Sequence, residues 1–362
     1  MNQVGGFPGL SNGKRKDRSE AVMGVDSEDT ILERLTDLLD RFDQQRLLVV
    51  GDVMLDEYLS GSADRLSAEA PVPIVHVADE DSVLGGAGNV AMNVLAMGAR
   101  CDWVGVIGED EAGRRVQALA QKGGLETRGL IVDASRPTTH KTRVQARSQQ
   151  MLRFDRESTE ALDVSVASRV VEAVLAVAAG IDGVLFVDYA KGLFSGGLSQ
   201  RCIELLGGRS LPMAADPKDS LEAFRGVDLI KPNLPEAEAL TGVRAGEPAG
   251  SGAVLAALAE KMPGVDFAVT QGRLGMVVQE AGQTPRNVRT WSRDVFDVQG
   301  AGDTTLASLW LSRLSGATLQ EAAIIANAAA GVVVEKVGTA VVSREEIRSR
   351  LPRAVAAFRE EE

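Results

Sequence analysis

Two glycines flank one alanine directly ahead of a carboxylate in the octet VQGAGDTT, Val298 to Thr305, and a largely apolar run follows through Leu311. A glycine-rich turn that opens a helix leaves backbone N–H groups unpaired at the positive end of the helix dipole, where an anion such as a transferring phosphoryl group can sit. Asp303 at that turn could act as a general base, or it could be an ordinary N-cap. A second glycine cluster, GGAGNVAMN from Gly85 to Asn93, opens a helical pattern through Val90, Ala91, Val94 and Leu95. Bare backbone at Gly85 and Gly86 would let a sugar approach closely, with Asn89 hydrogen-bonding a hydroxyl; a tight helix entry would use the same residues. The cluster is not a GxGxxG fingerprint and does not follow the first core strand, which disfavours a nicotinamide oxidoreductase. The sequence contains no GxxxxGK[ST] either, so a P-loop enzyme is disfavoured.

The elements that must position these residues are legible as short aliphatic runs. RLLVVGD, DGVLFVD, LPMAAD, VDLIKPN and VDFAVTQG are each bounded by turn residues and separated by helical patterns such as Val164 to Ala179. That alternation predicts an α/β fold, a doubly wound and mainly parallel sheet with helices on both faces. Several strands end in a polar residue, Asp52, Asp188, Asp216 and Asn233, and ligands of such sheets bind beyond the carboxyl ends of strands. DTILERLTDLLDRF places Ile31, Leu32, Leu35, Leu38, Leu39 and Phe42 on one face of a leading helix. A helix near Leu319 to Val334 and a last one opened by Ser343 and Glu346, at capping-box spacing, close the pattern.

Two stretches break the βα rhythm. APVPIVHV (70–77) and HKTRVQARSQQMLRFD (140–155) read as strands of a small second sheet, a lid spanning about 55–82 and 137–156, the latter a hairpin turning near Ser148-Gln149. Alternation puts Lys141, Arg143, Gln145 and Arg147 on one face of the first hairpin strand, and Arg153 with Asp155 on one face of the second. Cations there either protect an edge strand or form a basic face that closes over an anionic substrate.

Aromatics are only 4% of the residues against 44% apolar, so the core is aliphatic, as buried parallel strands require. The balance of 39 basic and 51 acidic residues, −12 in net charge, argues against nucleic acid or an anionic membrane as partner, a local basic pocket excepted. Cys101 and Cys202 form no CxxC pair, and His76 and His140 are too scattered for zinc, so a reducing cytoplasm fits best. A long apolar run and a signal peptide are both lacking, which indicates neither spanning nor secretion. Residues 1–27, with the basic run Lys14-Arg15-Lys16, read as a disordered tail, residues 28–355 as the domain, and 356–362 as a charged tail with no room for a further domain.

GGAGN, KPNLPEAE (Lys231 to Glu238) and DVQGAGDTT, in that order and spacing, resemble the ribokinase-like, or PfkB, carbohydrate kinases. VVGDVMLDEY, LSAEAPVPIVHV, GGAGNVAMNVLAMGA, RPTTHKTRVQARSQQMLRFD, DYAKG, ADPK and ANAAAGVVVEKVGT narrow the resemblance to the branch that phosphorylates D-glycero-D-manno-heptose 7-phosphate at its anomeric carbon, towards ADP-heptose for lipopolysaccharide. It covers roughly residues 44 to 350. The resemblance implies a ribokinase-like fold and an enzyme using ATP and Mg²⁺, with Asp303 as base for the C1 hydroxyl of the β-anomer and the amides of Gly300, Ala301 and Gly302 stabilising the transferring group. It assigns Asp52, Gly85, Gly86 and Asn89 to the sugar, and Lys141, Arg143, Arg153 and Lys191 to the distal phosphate. Asn233 and Glu236, in an NxxE segment that here contains Pro235, go to Mg²⁺ and the nucleotide phosphates; Thr270, Gly272 and Asn327 go to the nucleotide. A homodimer through the lid is a further implication. Gln299 departs from the family's usual Thr and Gly88 from its usual Ala. Relatives of this branch are often fused to a nucleotidyltransferase that this chain lacks, so adenylyl transfer would fall to another protein. The alternatives are a kinase for ribose, fructose 1-phosphate or a nucleoside, and a non-catalytic sugar-binding relative, against which the intact Asp303 turn argues.

Overall fold

A computed structural model describes residues 27–147, 149–246, 250–291, 299–336 and 338–359. In chain order the elements are helix α1 (Glu28–Asp40), strands β1 (Arg46–Gly51), β2 (Val53–Leu66) and β3 (Pro73–Gly86), helix α2 (Ala87–Ala96), β4 (Arg100–Gly108), α3 (Glu111–Lys122), β5 (Leu130–Asp133), β6 (Thr139–Ala146) and β7 (Gln149–Arg156). Then come α4 (Val164–Val177), β8 (Gly183–Val187), α5 (Leu198–Gly207), β9 (Met213–Asp216), β10 (Leu229–Ile230), α6 (Leu234–Thr241), α7 (Gly252–Lys261), β11 (Asp266–Thr270), β12 (Met276–Gln279), β13 (Arg286–Val288), α8 (Ala301–Leu314), α9 (Leu319–Val333) and α10 (Arg344–Arg359).

Nine strands form the main sheet in the order β13-β12-β11-β10-β9-β8-β1-β4-β5. From β11 to β5 every pairing is parallel, and β12 and β13 add an antiparallel edge. The aliphatic runs sit here because both faces of the sheet are covered, so successive side chains are buried in opposite directions. Leu47, Val49, Leu185 and Val187 face the layer that contains α1, α2, α8, α9 and α10. Leu48, Val50, Val184 and Phe186 face α4, α5 and α7. Among the described residues no helix is long and apolar enough to cross a membrane.

Four strands form the lid, in the order β3-β2-β6-β7. Its long strands are rooted in the main domain. β2 leaves one residue after β1, and β3 returns straight into α2, pairing Val53 with Gly86 at the root. Burial falls from the root of β2 outward, and every residue of β7 is exposed.

Several boundaries differ from the sequence expectations. The strand expected at 70–77 begins at Pro73 and runs on to Gly86, reaching the glycine cluster itself. Arg147 does not continue the cationic face: β6 ends at Ala146, Arg147 has a φ of 60°, and its guanidinium pairs with Asp64 at 2.9 Å. Ser148, expected at the hairpin turn, lies outside the described residues. The C-terminal helix continues to Arg359 because Phe358 is buried beneath it, so the charged tail expected from 356 does not begin there. Ser27 is no part of a tail but the N-cap of α1, its Oγ accepting from Thr30 N–H at 3.2 Å; the rest of the expected tail, Lys14 to Lys16 included, lies outside the described residues.

β8 lies beside the central strand β9, and Phe186 anchors it in an aromatic trio with Phe194 and Phe224, ring centroids 6.0 and 6.1 Å away. Phe186→Ala is expected to lower unfolding free energy by about 3–5 kcal/mol, read as a shifted urea midpoint with an unchanged slope.

Candidate active site

The carboxyl ends of neighbouring strands bring three of the expected aspartates and one further residue, a lysine, to one edge. Asp52 follows β1, Asp188 follows β8, Asp216 ends β9 and Lys231 follows β10. Backbone bonds hold them in line: Asp52 N–H donates to Val187 O at 3.1 Å, Asp188 N–H to Asp216 O at 3.2 Å, and Lys231 N–H to Ala215 O at 3.0 Å.

Asp303 faces this edge from α8. Its position is not that of an N-cap: Gly300 caps the helix, in the left-handed region at φ 75°, and Asp303 is the third helical residue. A side chain at Gly300 would be strained by that φ, and its Cβ would come within 2.9 Å of Asn89 Nδ2. The first backbone bond of the helix is Thr304 N–H to Gly300 O at 3.0 Å, so the amides of Ala301, Gly302 and Asp303 precede the intrahelical ladder and present the positive helix end.

The Asp303 carboxylate is 5% exposed and held on both oxygens. Asn89 Nδ2 donates to Oδ2 at 2.7 Å and the Tyr189 hydroxyl to Oδ1 at 2.7 Å. Asn89 is itself oriented, since its Oδ1 accepts from Asn93 Nδ2 at 3.2 Å while Asn93 Oδ1 accepts from the Thr304 hydroxyl at 3.0 Å. This chain of bonds joins the starts of α2 and α8. Burial pushes the Asp303 carboxyl up to about 6, partly opposed by the bonds from Tyr189 and Asn89 and by the charge of Lys231.

Asp52 is 4% exposed, and its Oδ2 accepts the backbone N–H groups of Tyr189 at 2.8 Å and Lys191 at 3.2 Å. Burial raises its carboxyl to about 6 as well. Gly86 lies over it with a φ of 57°, where a Cβ would collide with Asp52 O; Gly85 lies against Asp56 in the same way. Asp216 pairs with Lys231 at 2.9 Å, the lysine 2% exposed, and burial again lifts the Asp216 carboxyl to about 6. The site thus combines buried carboxylates, one buried ammonium and a positive helix end. Such a set can hold hydroxyls, take up a proton and receive a phosphoryl group.

The four expected distal cations are all engaged. Arg143 binds Asp56 at 2.7 Å and lies 5.4 Å from the centre of the Tyr58 ring. Arg153 pairs along its own strand with Asp155 at 3.0 Å. Lys191 Nζ meets Glu157 Oε1 at 2.8 Å and Lys141 Nζ meets Glu157 Oε2 at 3.9 Å. A recess beside Asp52 is lined by Arg136, Thr139, Ser158 and Lys191.

Asn233 and Glu236 form a reciprocal capping box on α6, each side chain 2.9 Å from the other's backbone N–H, and Glu236 also binds Lys218. Thr270 ends β11, bridged to Asn233, and Gly272 turns the chain just after it with a φ of 58°. Asn327 has its amide engaged, donating to Val288 O at 2.9 Å and Arg289 O at 3.1 Å and clamping α9 to the end of β13. Gln299 accepts from the Tyr58 hydroxyl at 2.7 Å, linking the lid root to the turn before α8. Among the described residues no group of three His, Cys, Asp or Glu side chains could hold a metal ion by itself. Magnesium commonly binds through one or two carboxylates, waters and substrate phosphates, and the oxygen donors of Asn233 and Glu236 fit that mode.

Sequence reasoning did not single out Tyr189, Lys231, Asp56 or Asn93. DYAKG and KPN each follow a strand, which was the available signal, but nothing local says that Tyr189 reaches Asp303.

The profile of the pfkB family of carbohydrate kinases matches residues 44–346. The chain is 41% identical over 312 residues to the bifunctional protein HldE of Azorhizobium caulinodans, covering 86% of this chain and 65% of that protein. It is 42% identical over 308 residues to the same-named protein of Caulobacter sp. strain K31, covering 84% and 62%. The chain therefore spans less than two thirds of the length of these relatives. Among solved structures, a ribokinase of Arabidopsis thaliana complexed with ribose and ATP superposes with a TM-score of 0.67 at 19% identity, covering 85% of this chain and 98% of that one. Phosphofructokinase-2 of Escherichia coli gives 0.70 at 17% identity, covering 86% and 99%. These two likenesses establish the fold.

The raised carboxyl of Asp303 has a consequence for stability. Folded Asp303 keeps its proton up to about pH 6, whereas a solvent-exposed aspartate loses it near 3.8, so above pH 6 the fold carries a charge that water would hold more favourably. Asp303→Asn is therefore expected to be more stable than the parent at pH 8 by about 3 kcal/mol, with the gap closing as pH falls from about 6 to about 4. Urea titrations across that range check it; a variant less stable at pH 8 would contradict the assignment.

Proposed function

The chain belongs to the pfkB family of carbohydrate kinases, and from that premise we propose that it transfers the γ-phosphoryl group of ATP to the C1 hydroxyl of D-glycero-D-manno-heptose 7-phosphate, giving the 1,7-bisphosphate. The observation that carries this reading is the buried Asp303 carboxylate at the open end of α8, linked to Asp52 through Tyr189. Asp52, with Gly86 and Asn89 beside it, holds the sugar hydroxyls. Asp303 accepts the C1 proton as that oxygen bonds to the γ-phosphorus and the bond to the leaving ADP oxygen breaks. The amides of Gly300, Ala301 and Gly302 stabilise the charge on the group in flight. Asn233 and Glu236 would hold Mg²⁺ through oxygen donors, where it would neutralise phosphate charge; Thr270 and Gly272 sit beside them for the nucleotide.

The phosphate on the acceptor is supported by Lys141 and Lys191, which converge on a single carboxylate, Glu157, next to the recess that adjoins Asp52. A dianionic phosphate meeting two ammonium groups there would give charge-assisted bonds. Arg143 and Arg153 are bound to Asp56 and Asp155 and add to the field rather than to direct contact. A homodimer through the lid is supported by Leu66, Val77, Leu152 and Phe154, large apolar side chains that the lid strands leave exposed.

The test is ADP release with MgATP, comparing the heptose 7-phosphate with ribose, fructose 1-phosphate, fructose 6-phosphate and adenosine. Turnover is expected on the heptose phosphate alone, and Asp303→Asn should lower kcat by roughly 10²–10⁴-fold. The rate should fall as pH drops through about 6, because a base that carries its own proton cannot take another. Turnover on a different acceptor would keep the base and move Lys141 and Lys191 to another ligand; none on any acceptor would favour a sugar-binding relative. Lys191→Ala is expected to raise KM for the heptose phosphate about tenfold, with little change for the same heptose lacking the phosphate.

A further inference from the structure

We propose that Tyr189 is a positioning residue for the phosphoryl transfer: its hydroxyl fixes the base Asp303 while its backbone N–H fixes the sugar-holding Asp52, so one residue sets the two carboxylates relative to each other. The inference rests on reading Asp303 as the base. The two bonds are 2.7 and 2.8 Å long and leave from opposite ends of the same residue. The turn that makes this reach possible is a strained one. Ala190 has a φ of 55°, a left-handed conformation that a residue with a Cβ adopts only when its surroundings impose it. Asp188 imposes it, its Oδ1 accepting from Ala190 N–H at 2.8 Å and its Oδ2 from Lys218 N–H at 3.2 Å.

A buried tyrosine could fill this space by its ring alone; here the hydroxyl is aimed at one oxygen of the reacting carboxylate. Burial and the neighbouring Asp303 charge hold the phenol well above its ordinary range, so it stays a donor at every working pH. The groups that face Asp303 are Tyr189 from the loop after β8, Asn89 from α2, Lys231 from the end of β10, Asp216 from β9 and Asp56 from β2. Only Tyr189 and Asn89 donate hydrogen bonds to it among the described residues. Taking away one of two donors to a buried carboxylate destabilises its charged form.

Tyr189→Phe removes the hydroxyl and leaves the backbone bond to Asp52. The acid limb of its pH–rate profile should move up by about one unit, so that the rate at pH 6 falls roughly fivefold while the plateau above pH 8 changes less than ~3-fold. KM for the sugar phosphate should stay within about twofold, since Asp52 keeps its partners. An unmoved acid limb would overturn the proposal, and so would a variant faster than the parent at all pH, which would make the hydroxyl an occupant of the acceptor's place. A second readout needs no turnover. Tyr58 and Tyr189 are the only tyrosines, so ¹³Cζ-tyrosine NMR gives two signals that Tyr189→Phe assigns. The Tyr189 signal should titrate with a midpoint of about 6 and lose that midpoint in Asp303→Asn. If the kinase reading fails, the midpoint persists without turnover on any acceptor; if the coupling fails, turnover persists without the midpoint.

Discussion

A carboxylate that must be both buried and charged is the constraint on which the rest of the site depends. Asp303 can lie almost out of contact with water only because two donors meet its oxygens, and a buried charge without such partners would simply remain neutral. One donor, Asn89, needs its amide turned the right way, which Asn93 and Thr304 ensure. That requirement brings the starts of α2 and α8 together, and the close approach leaves no space for a side chain at Gly300. The glycine turn therefore has two duties, exposing amides to an anion and letting Asn89 reach the carboxylate.

The same economy governs the sheet edge. Asp52, Asp216 and Asp303 all carry carboxyls lifted by burial, and each opposes folding at neutral pH. The aliphatic layers on both faces of the nine-stranded sheet supply the offsetting stability, and one buried lysine, Lys231, offsets part of the charge. The lid is rooted where the substrate groups sit: β2 departs beside Asp52 and β3 ends on Gly85 and Gly86. Lid and sugar-facing residues are consequently one continuous piece of chain.

The lid also shows how differently one residue type can serve. Four cations that the resemblance assigns to one phosphate separate into distinct roles once their partners are known. Arg143 is locked to Asp56 beneath Tyr58 and Arg153 lies along an exposed strand, while Lys141 and Lys191 share Glu157 beside the recess next to Asp52. A basic residue inside a net-acidic chain acquires its meaning from the carboxylate opposite it.

Much of this was legible in the residues themselves. The aliphatic runs, the glycine clusters and the polar strand ends are local patterns, and local patterns specify element type and the edge where parallel strands present a ligand site. Asp303 at a glycine-opened helix was readable for the same reason. Two things were not: that Asn327 clamps β13 and that Tyr189 meets Asp303. The capping box on α6 is by contrast local: Asn233 and Glu236 have its spacing, and Pro235 in the first turn favours a helix start. The two unread pairings join separate elements, 39 residues apart in the case of Asn327 and Val288 and 114 in that of Tyr189 and Asp303. The sequence by itself determined the α/β layering, the carboxylate at the helix start and the family. Tertiary structure alone decided which donor meets which carboxylate and which cation keeps a partner, because those pairings exist only after the sheet has brought distant strand ends side by side.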